Sequence, residues 1–180
     1  MMHRFSTILL FFLIVNFKSY GQHGEDYINV GFDAGITLND YYQAQFPAGF
    51  GASVKGLYGV GLSGQVSLTA NYLYFPLDRS IVLPGGENLA FHHIPVFLGY
   101  RMNFDRFFLE PQVGGALFAM RYRFDQDRYT ETSTGFAFAA EAGYVFDMVE
   151  VSLRYQHAGS SPHHLGLLGV RAAYKIPLGY

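Results

Sequence analysis

From Ile28 to Ile176, apolar positions recur at every second residue in eight segments separated by turn-forming residues. A period of two marks strands with unlike faces, so the pattern predicts strands near 27–38, 47–58, 60–75, 90–104, 107–122, 135–147, 149–157 and 165–176. The first sets Ile28, Val30, Phe32, Ala34 and Ile36 against Asn29, Gly31, Asp33, Gly35 and Thr37. The seventh sets Val149, Val151, Leu153 and Tyr155 against Glu150, Ser152, Arg154 and Gln156. The second, with Phe50, Ala52 and Val54 against Gly51, Ser53 and Lys55, carries the weakest signal. An even number of strands is what closure without edges requires.

Short and long links alternate. Those around Tyr58-Gly59, Asp105-Arg106 and Asp147-Met148 are tight, whereas 39–46, 76–89, 123–134 and 158–164 are longer and polar. Tight turns on one rim and long loops on the other are the connection pattern of an outer-membrane barrel. Ahead of the strands, Arg4, the apolar run Ile8 to Val15 and the small residues Ser19 and Gly21 follow the grammar of a secretory signal peptide. That run is too short for a membrane-crossing helix, which needs about 20 residues. The expected division is a signal peptide at 1–21 and a barrel domain at 22–180, exported through the Sec pathway. Losing Arg4 and Lys18 leaves 10 basic against 14 acidic residues, a net charge of −4.

Composition removes several classes. With 18 Phe, 14 Tyr, 21 Gly and only 14% charged residues, the 180-residue chain is too apolar for disorder. The weakly acidic balance gives no footprint for nucleic acid. No cysteine is present, which rules out disulfide frameworks, thiolate zinc sites and thiol catalysis.

Parity alone does not say whether the apolar face meets a core or lipid, so a soluble ligand barrel of the lipocalin kind competes with a membrane barrel. An eight-stranded interior holds little more than its own side chains. Turning all the Phe, Tyr, Leu and Ile inward would overfill it, while the small and polar parity fits. That parity carries Asp33, Lys55, Arg101, Glu110, Glu141, Arg154 and Arg171 at mid-strand, with Glu150 and Lys175 nearer a rim. Buried charges must pair, so the expectation is an internal ion-pair network that plugs the lumen and leaves no open pore. On the apolar parity, Tyr72, Tyr74, Tyr100, Tyr144, Tyr155 and Tyr174 stand near strand ends, where interfacial aromatics belong.

Four stretches carry a family likeness: Phe50-Gly51-Ala52-Ser53-Val54-Lys55-Gly56-Leu57-Tyr58-Gly59, Ile94-Pro95-Val96-Phe97-Leu98-Gly99-Tyr100-Arg101, Leu109-Glu110-Pro111-Gln112-Val113-Gly114-Gly115, and the closing segment Leu168 to Ile176. Together they resemble the small outer-membrane β-barrel domains of the porin-like superfamily, the type of outer-membrane proteins A and X of Gram-negative bacteria. The closing segment, with Gly169, Tyr174 and a final Tyr180, also resembles the signal read by the barrel-assembly machinery. The resemblance implies an all-β, closed, eight-stranded, antiparallel up-and-down transmembrane barrel. It also implies outer-membrane lipid and lipopolysaccharide as surroundings, with assembly by that machinery. It carries no single function.

Candidate chemistry is sparse. Gly59-Val60-Gly61-Leu62-Ser63-Gly64 spells a dinucleotide fingerprint, but Gln65 to Thr69 alternate as a strand, where a pyrophosphate needs the start of a helix, so no cofactor is expected. His157, with Ser160 and Ser161 close by, resembles the base and nucleophile of barrels that deacylate lipid A. The spacing departs, however, with Gly159 two residues after His157, and the last strand offers no carboxylate. That hydrolase is the catalytic alternative to a non-enzymatic scaffold. His92, His93, His157, His163 and His164 all fall toward the long-loop rim and form the only candidate metal set, against the simpler reading of surface histidines. The third long loop, with Asp125, Asp127, Arg128, Tyr129 and Glu131, suits contact with lipopolysaccharide or an unidentified protein partner.

Overall fold

In the computed structural model eight antiparallel strands close into a barrel in simple chain order. The structure describes residues 25–61, 63–78, 80–81, 88–124, 127–160 and 164–178, so the leader, His163 and Ser161 lie outside the described residues. The strands are β1 (Tyr27–Thr37), β2 (Ala48–Val60), β3 (Gly64–Pro76), β4 (Asn88–Phe104), β5 (Phe107–Phe124), β6 (Asp127–Phe146), β7 (Val149–Ala158) and β8 (Leu165–Pro177), with one short helix, α1 (Asp40–Gln43).

Register fixes the barrel's size. Stepping sideways from Ile28 leads through Gly56, Leu68, Leu98, Val113, Phe138, His157 and Gly166 to Leu38, so one circuit climbs ten residues along the chain. Eight strands with that stagger tilt by about 40° and enclose a bore that side chains can fill. Two mid-strand prolines each interrupt one ladder without moving it. Between Ala70↔Val96 and Leu73↔His93 two pairs are missing beside Pro95, and between Gly99↔Gln112 and Met102↔Leu109 two are missing beside Pro111. A proline has no N–H to donate, and a closed barrel has no edge on which to place it.

The apolar parity faces out. Phe32, Leu68, Leu98, Leu153 and Val170 are exposed, whereas Lys55, Glu110 and Glu141 on the other parity are fully buried. This overturns the soluble lipocalin alternative: the apolar side chains do not line a ligand cavity but form a continuous band around the barrel, as lipid requires. Around the short-turn rim Phe104, Phe107 and Phe146 are exposed, and the Phe107 and Tyr144 rings meet edge to face at 4.8 Å. At the other end Tyr72 bonds to His92 Nδ1 at 2.7 Å and Phe50 meets Tyr74 at 5.7 Å.

Three departures from the sequence reading matter for function. The first tight turn follows Val60, where Gly61 takes φ +72°, rather than lying at Tyr58-Gly59, which is still strand. The stretch 39–46, expected as a polar link, contains α1, whose N-cap Asn39 accepts a 3.2 Å bond from the Tyr42 amide. The third long loop is mostly strand: β5 continues to Phe124 and β6 begins at Asp127. Thr130, Thr132 and Thr134 favour extended backbone, but both faces there are wet, so no hydrophobic alternation announces the strand.

Candidate functional site

Side chains fill the lumen in two storeys of opposite character. The lower one, toward the short turns, is ionic. Lys55, from β2, reaches across the bore to Glu110 and Glu141, both at 2.9 Å. Arg101 spans Glu110 and Glu150, each at 2.8 Å, and stacks its guanidinium 3.7 Å above the Phe108 ring. Arg171 lies 3.4 Å from Glu141 and 3.9 Å from Glu150. Hydroxyls and amides complete the shells: Ser67 and Gln112 donate to Glu110, each at 2.6 Å, and Ser152 donates to Glu141 at 2.8 Å.

Asp33 and Arg154 stand one step apart from this cluster. Asn71 joins them, donating to Asp33 at 3.3 Å and accepting from Arg154 at 3.1 Å, while Arg154 also donates to Gln112 at 2.6 Å. All seven charged residues expected inside are therefore buried, and the structure adds an eighth, Glu150, fully buried although sequence position put it near a rim. With Glu150, four cations (Lys55, Arg101, Arg154, Arg171) face four anions (Asp33, Glu110, Glu141, Glu150). That balance, and the shared parity of Glu150, Ser152 and Arg154, are the sequence signals that point to it. Glu150→Gln removes the carboxylate that holds Arg101 Nη1 and Nη2; the expected loss is about 1.5–3 kcal/mol of unfolding free energy, measurable by urea titration of the refolded barrel.

The upper storey is apolar. Phe75, Phe91, Phe97 and Phe118 point inward, and Tyr42 and Phe46 from the first long connection drop onto them. Tyr42 stacks on Phe91 at 5.0 Å and Phe46 meets Phe91 at 5.6 Å. The expectation of a small and polar interior thus fails at this end, because glycine and alanine make room for the rings. A Cβ on Gly49 would lie 2.5 Å from the Phe75 ring, and Ala116, Ala137 and Ala139 pack in the same cluster. The lid is tied down on three sides: Thr37 Oγ1 donates to the Phe46 carbonyl at 2.9 Å, the Asp78 amide to Gln45 O at 2.8 Å, and Asn39 Nδ2 to His164 O at 2.7 Å. Between the storeys the void beside Asp33, Asn71 and Arg154 measures about 10 Å3, the scale of one water. At the short-turn mouth the bore widens into a polar vestibule of about 980 Å3 among Glu25, Gln65, Asn103, Arg106 and Lys175.

The described histidines do not form one site. His93 is buried inside and hydrogen-bonded to Gln156, whereas His92 faces out against Tyr72 and Tyr74. His157 is also on the outer face, sandwiched between Phe138 at 5.0 Å and His164 at 4.8 Å. Among the described residues no three His, Asp or Glu side chains converge as metal ligands. The barrel wall therefore divides the proposed metal set. Among the described residues His157's ring neighbours are Phe138 and His164, and Ser160 is exposed on the loop beyond.

At the long-loop end β4, β5 and β6 rise beyond the rest of the wall. The β5–β6 ladder runs from Phe107↔Tyr144 to Phe124↔Asp127, but β7 joins β6 only from Ala137 onward. Gly159, at φ +84°, turns the chain away at that point.

Comparison with known proteins agrees with this geometry. The barrel of Ail, the attachment invasion locus protein of Yersinia pestis, superposes with a TM-score of 0.65 at 14% identity, covering 86% of this chain and 100% of that one. The N-terminal barrel of Pseudomonas aeruginosa OprF gives 0.60 at 11% identity, with 86% and 100% covered. Neisserial surface protein A gives 0.52 at 11% identity, with 87% and 99% covered. No curated protein sequence matches the chain. Residues 10–175 match the family model described as outer membrane protein beta-barrel domain, and the chain accordingly belongs to that family of outer-membrane barrels.

Proposed function

We propose that this chain is a closed, non-conducting barrel whose working surface is its extracellular end, a scaffold that presents loops and a raised sheet to partners outside the cell. The observation that carries this reading is the filled lumen. From Glu150 and Arg101 near the short turns to Phe91 and Phe46 below the loops, buried side chains occupy the bore. A solute would have to break ion pairs in the lower storey and displace stacked rings in the upper one. Interaction is then left to the outward-facing end, and a barrel of the same fold is an attachment invasion locus protein, which fits a role at a cell surface.

In planar bilayers the purified protein is expected to show no stepwise conductance above the bare membrane; steady ohmic channels would overturn the reading. The mature chain is proposed to start at Gln22 and to meet lipopolysaccharide and the assembly machinery on its way into the membrane. Mass spectrometry of the outer-membrane form is expected to find residues 22–180, and a retained leader would refute that division.

A further inference from the structure

Above the rim, one face of the raised sheet carries rings. The register sets Tyr122 opposite Tyr129 and Met120 opposite Glu131, and on β4 Leu89 and Phe91 stand beside Tyr122 and Met120. Leu89 and Met120 pack against the aromatic cluster of the upper storey, so this face looks inward over the mouth of the barrel. The Tyr122 and Tyr129 rings lie 6.3 Å apart at 41°, and Tyr129 is 64% exposed. A third ring comes from α1. There Tyr41 meets Tyr42 edge to face at 5.1 Å, Tyr42 is stacked on Phe91, and Tyr41 is 52% exposed. Partial burial, and then Glu131, Tyr41 and Tyr129, hold the Tyr122 phenol above the usual tyrosine range, so all three groups stand near its hydroxyl.

What these groups can recognise depends on what they have already spent. The Tyr122 hydroxyl donates to Met120 Sδ at 2.8 Å, which leaves the face of its ring. Glu131 is exposed and shares a face of β6 with Tyr129, two residues and roughly 6–7 Å along the strand, so its carboxylate reaches a ligand resting on that ring. Arg121 takes the opposite parity, and α1 contains neither Lys nor Arg. Among the described residues this side of the mouth therefore presents ring faces and a carboxylate with no Lys or Arg beside them. A sugar is held by an array of hydrogen-bonding partners, whereas ring faces and a carboxylate both attract positive charge.

We propose that Tyr41, Tyr122 and Tyr129, with Glu131, form a site for a quaternary ammonium group of the choline type at the extracellular mouth. This rests on the proposed role of the extracellular end and deepens it by naming the chemistry of a ligand there. A trimethylated nitrogen has no N–H to satisfy, so ring faces and one carboxylate meet its needs, and its methyl groups lie against the rings. A primary ammonium is more strongly hydrated and carries three donors, for which this site offers one carboxylate. The rings come from three elements, and α1 is held in place by the Tyr42 stack on Phe91 and by its Asn39 N-cap, so little ordering is left for the ligand to impose.

The test is a magnetic-resonance titration of the full mature protein, with isotope-labelled tyrosine rings, in nanodiscs of phosphatidylglycerol, a lipid without choline. Choline chloride should shift the ring signals of Tyr41, Tyr122 and Tyr129 with half-saturation at about 1 mM, the scale of a few exposed ring contacts. Dimethylbutanol, the neutral carbon isostere of choline, should bind about tenfold more weakly or not at all. Tyr129→Leu keeps apolar bulk but removes a ring face and should weaken choline about fivefold, Glu131→Gln about threefold, and Tyr129→Phe should leave it unchanged. Should Tyr129→Leu fail to fold, judged by heat-modifiable migration, Glu131→Gln carries the comparison. Vesicles of phosphatidylcholine separate two sources of the group: their capture by the nanodiscs, where phosphatidylglycerol vesicles are not captured, assigns a lipid headgroup, and choline binding without capture assigns a free solute. No shift at tens of millimolar choline, equal binding of dimethylbutanol, or full affinity in both Tyr129→Leu and Glu131→Gln would overturn the assignment. None of these outcomes touches the closed lumen, which bilayer conductance reads separately.

Discussion

Replacing Lys55 by Met will lower the unfolding free energy of the barrel by about 3–5 kcal/mol, the cost of leaving buried carboxylates without their cation. Lys55 is fully buried and its ammonium bridges Glu110 and Glu141, at 2.9 Å each. Methionine keeps the length and apolar stem of the chain but removes the charge, so packing is nearly conserved and the loss is electrostatic. Arg101 and Arg171 still bond to the two carboxylates, at 2.8 and 3.4 Å, and hold the loss at this size rather than a larger one. Urea unfolding in lipid vesicles, followed by the shift between folded and unfolded gel mobility, measures it. Adding Glu141→Gln should recover part of the loss, because one unpaired charge is then removed. Lys175→Met is the control: that ammonium is half-buried at the vestibule, 4.0 Å from the Tyr27 ring, and its removal should cost under about 1 kcal/mol. Equal effects at Lys55 and Lys175 would show that the lower storey is not a coupled network.

How much of the barrel is legible in the chain depends on what each feature leaves there. Strand parity is legible because lipid and lumen impose opposite chemistry on successive residues, as in Val151, Ser152, Leu153 and Arg154. Glu150 reads as a rim residue because it stands next to a turn, and distance from a turn is a poor measure of depth. In a tilted barrel, Arg101 of β4 comes down to the level of a residue that begins β7. The aromatic lid is hidden for a different reason. Phe75, Phe91, Phe97 and Phe118 occupy the inner parity, yet in sequence they look like the lipid-facing Phe32 or Phe138, and only small residues such as Gly49, beside the Phe75 ring, record that space was reserved. The raised part of β6 leaves no alternation because water lies on both of its faces.

Opening the upper storey will require removing rings from two elements. Phe91→Ala with Phe46→Ala should expose the interior to the outside, while either change alone leaves the remaining rings in contact. Phe46 is 1% exposed and Phe91 1%, so each truncation carries about 3–5 kcal/mol, and the pair share a contact and will not add in full. The absence of native cysteine gives a clean reporter: His93→Cys lies directly beneath the lid, its ring position 6.5 Å from Phe91 and 5.0 Å from Phe118. A membrane-impermeant maleimide should leave His93→Cys unlabelled in the otherwise unchanged protein and label it in the double truncation. Conductance should nevertheless stay at the level of the bare bilayer, because Lys55, Arg101 and Arg171 with their carboxylates still fill the bore below. Labelling without conductance would show two closures in series, each sufficient. Conductance in the double truncation would mean that the ionic storey is penetrable and that the rings alone close the barrel.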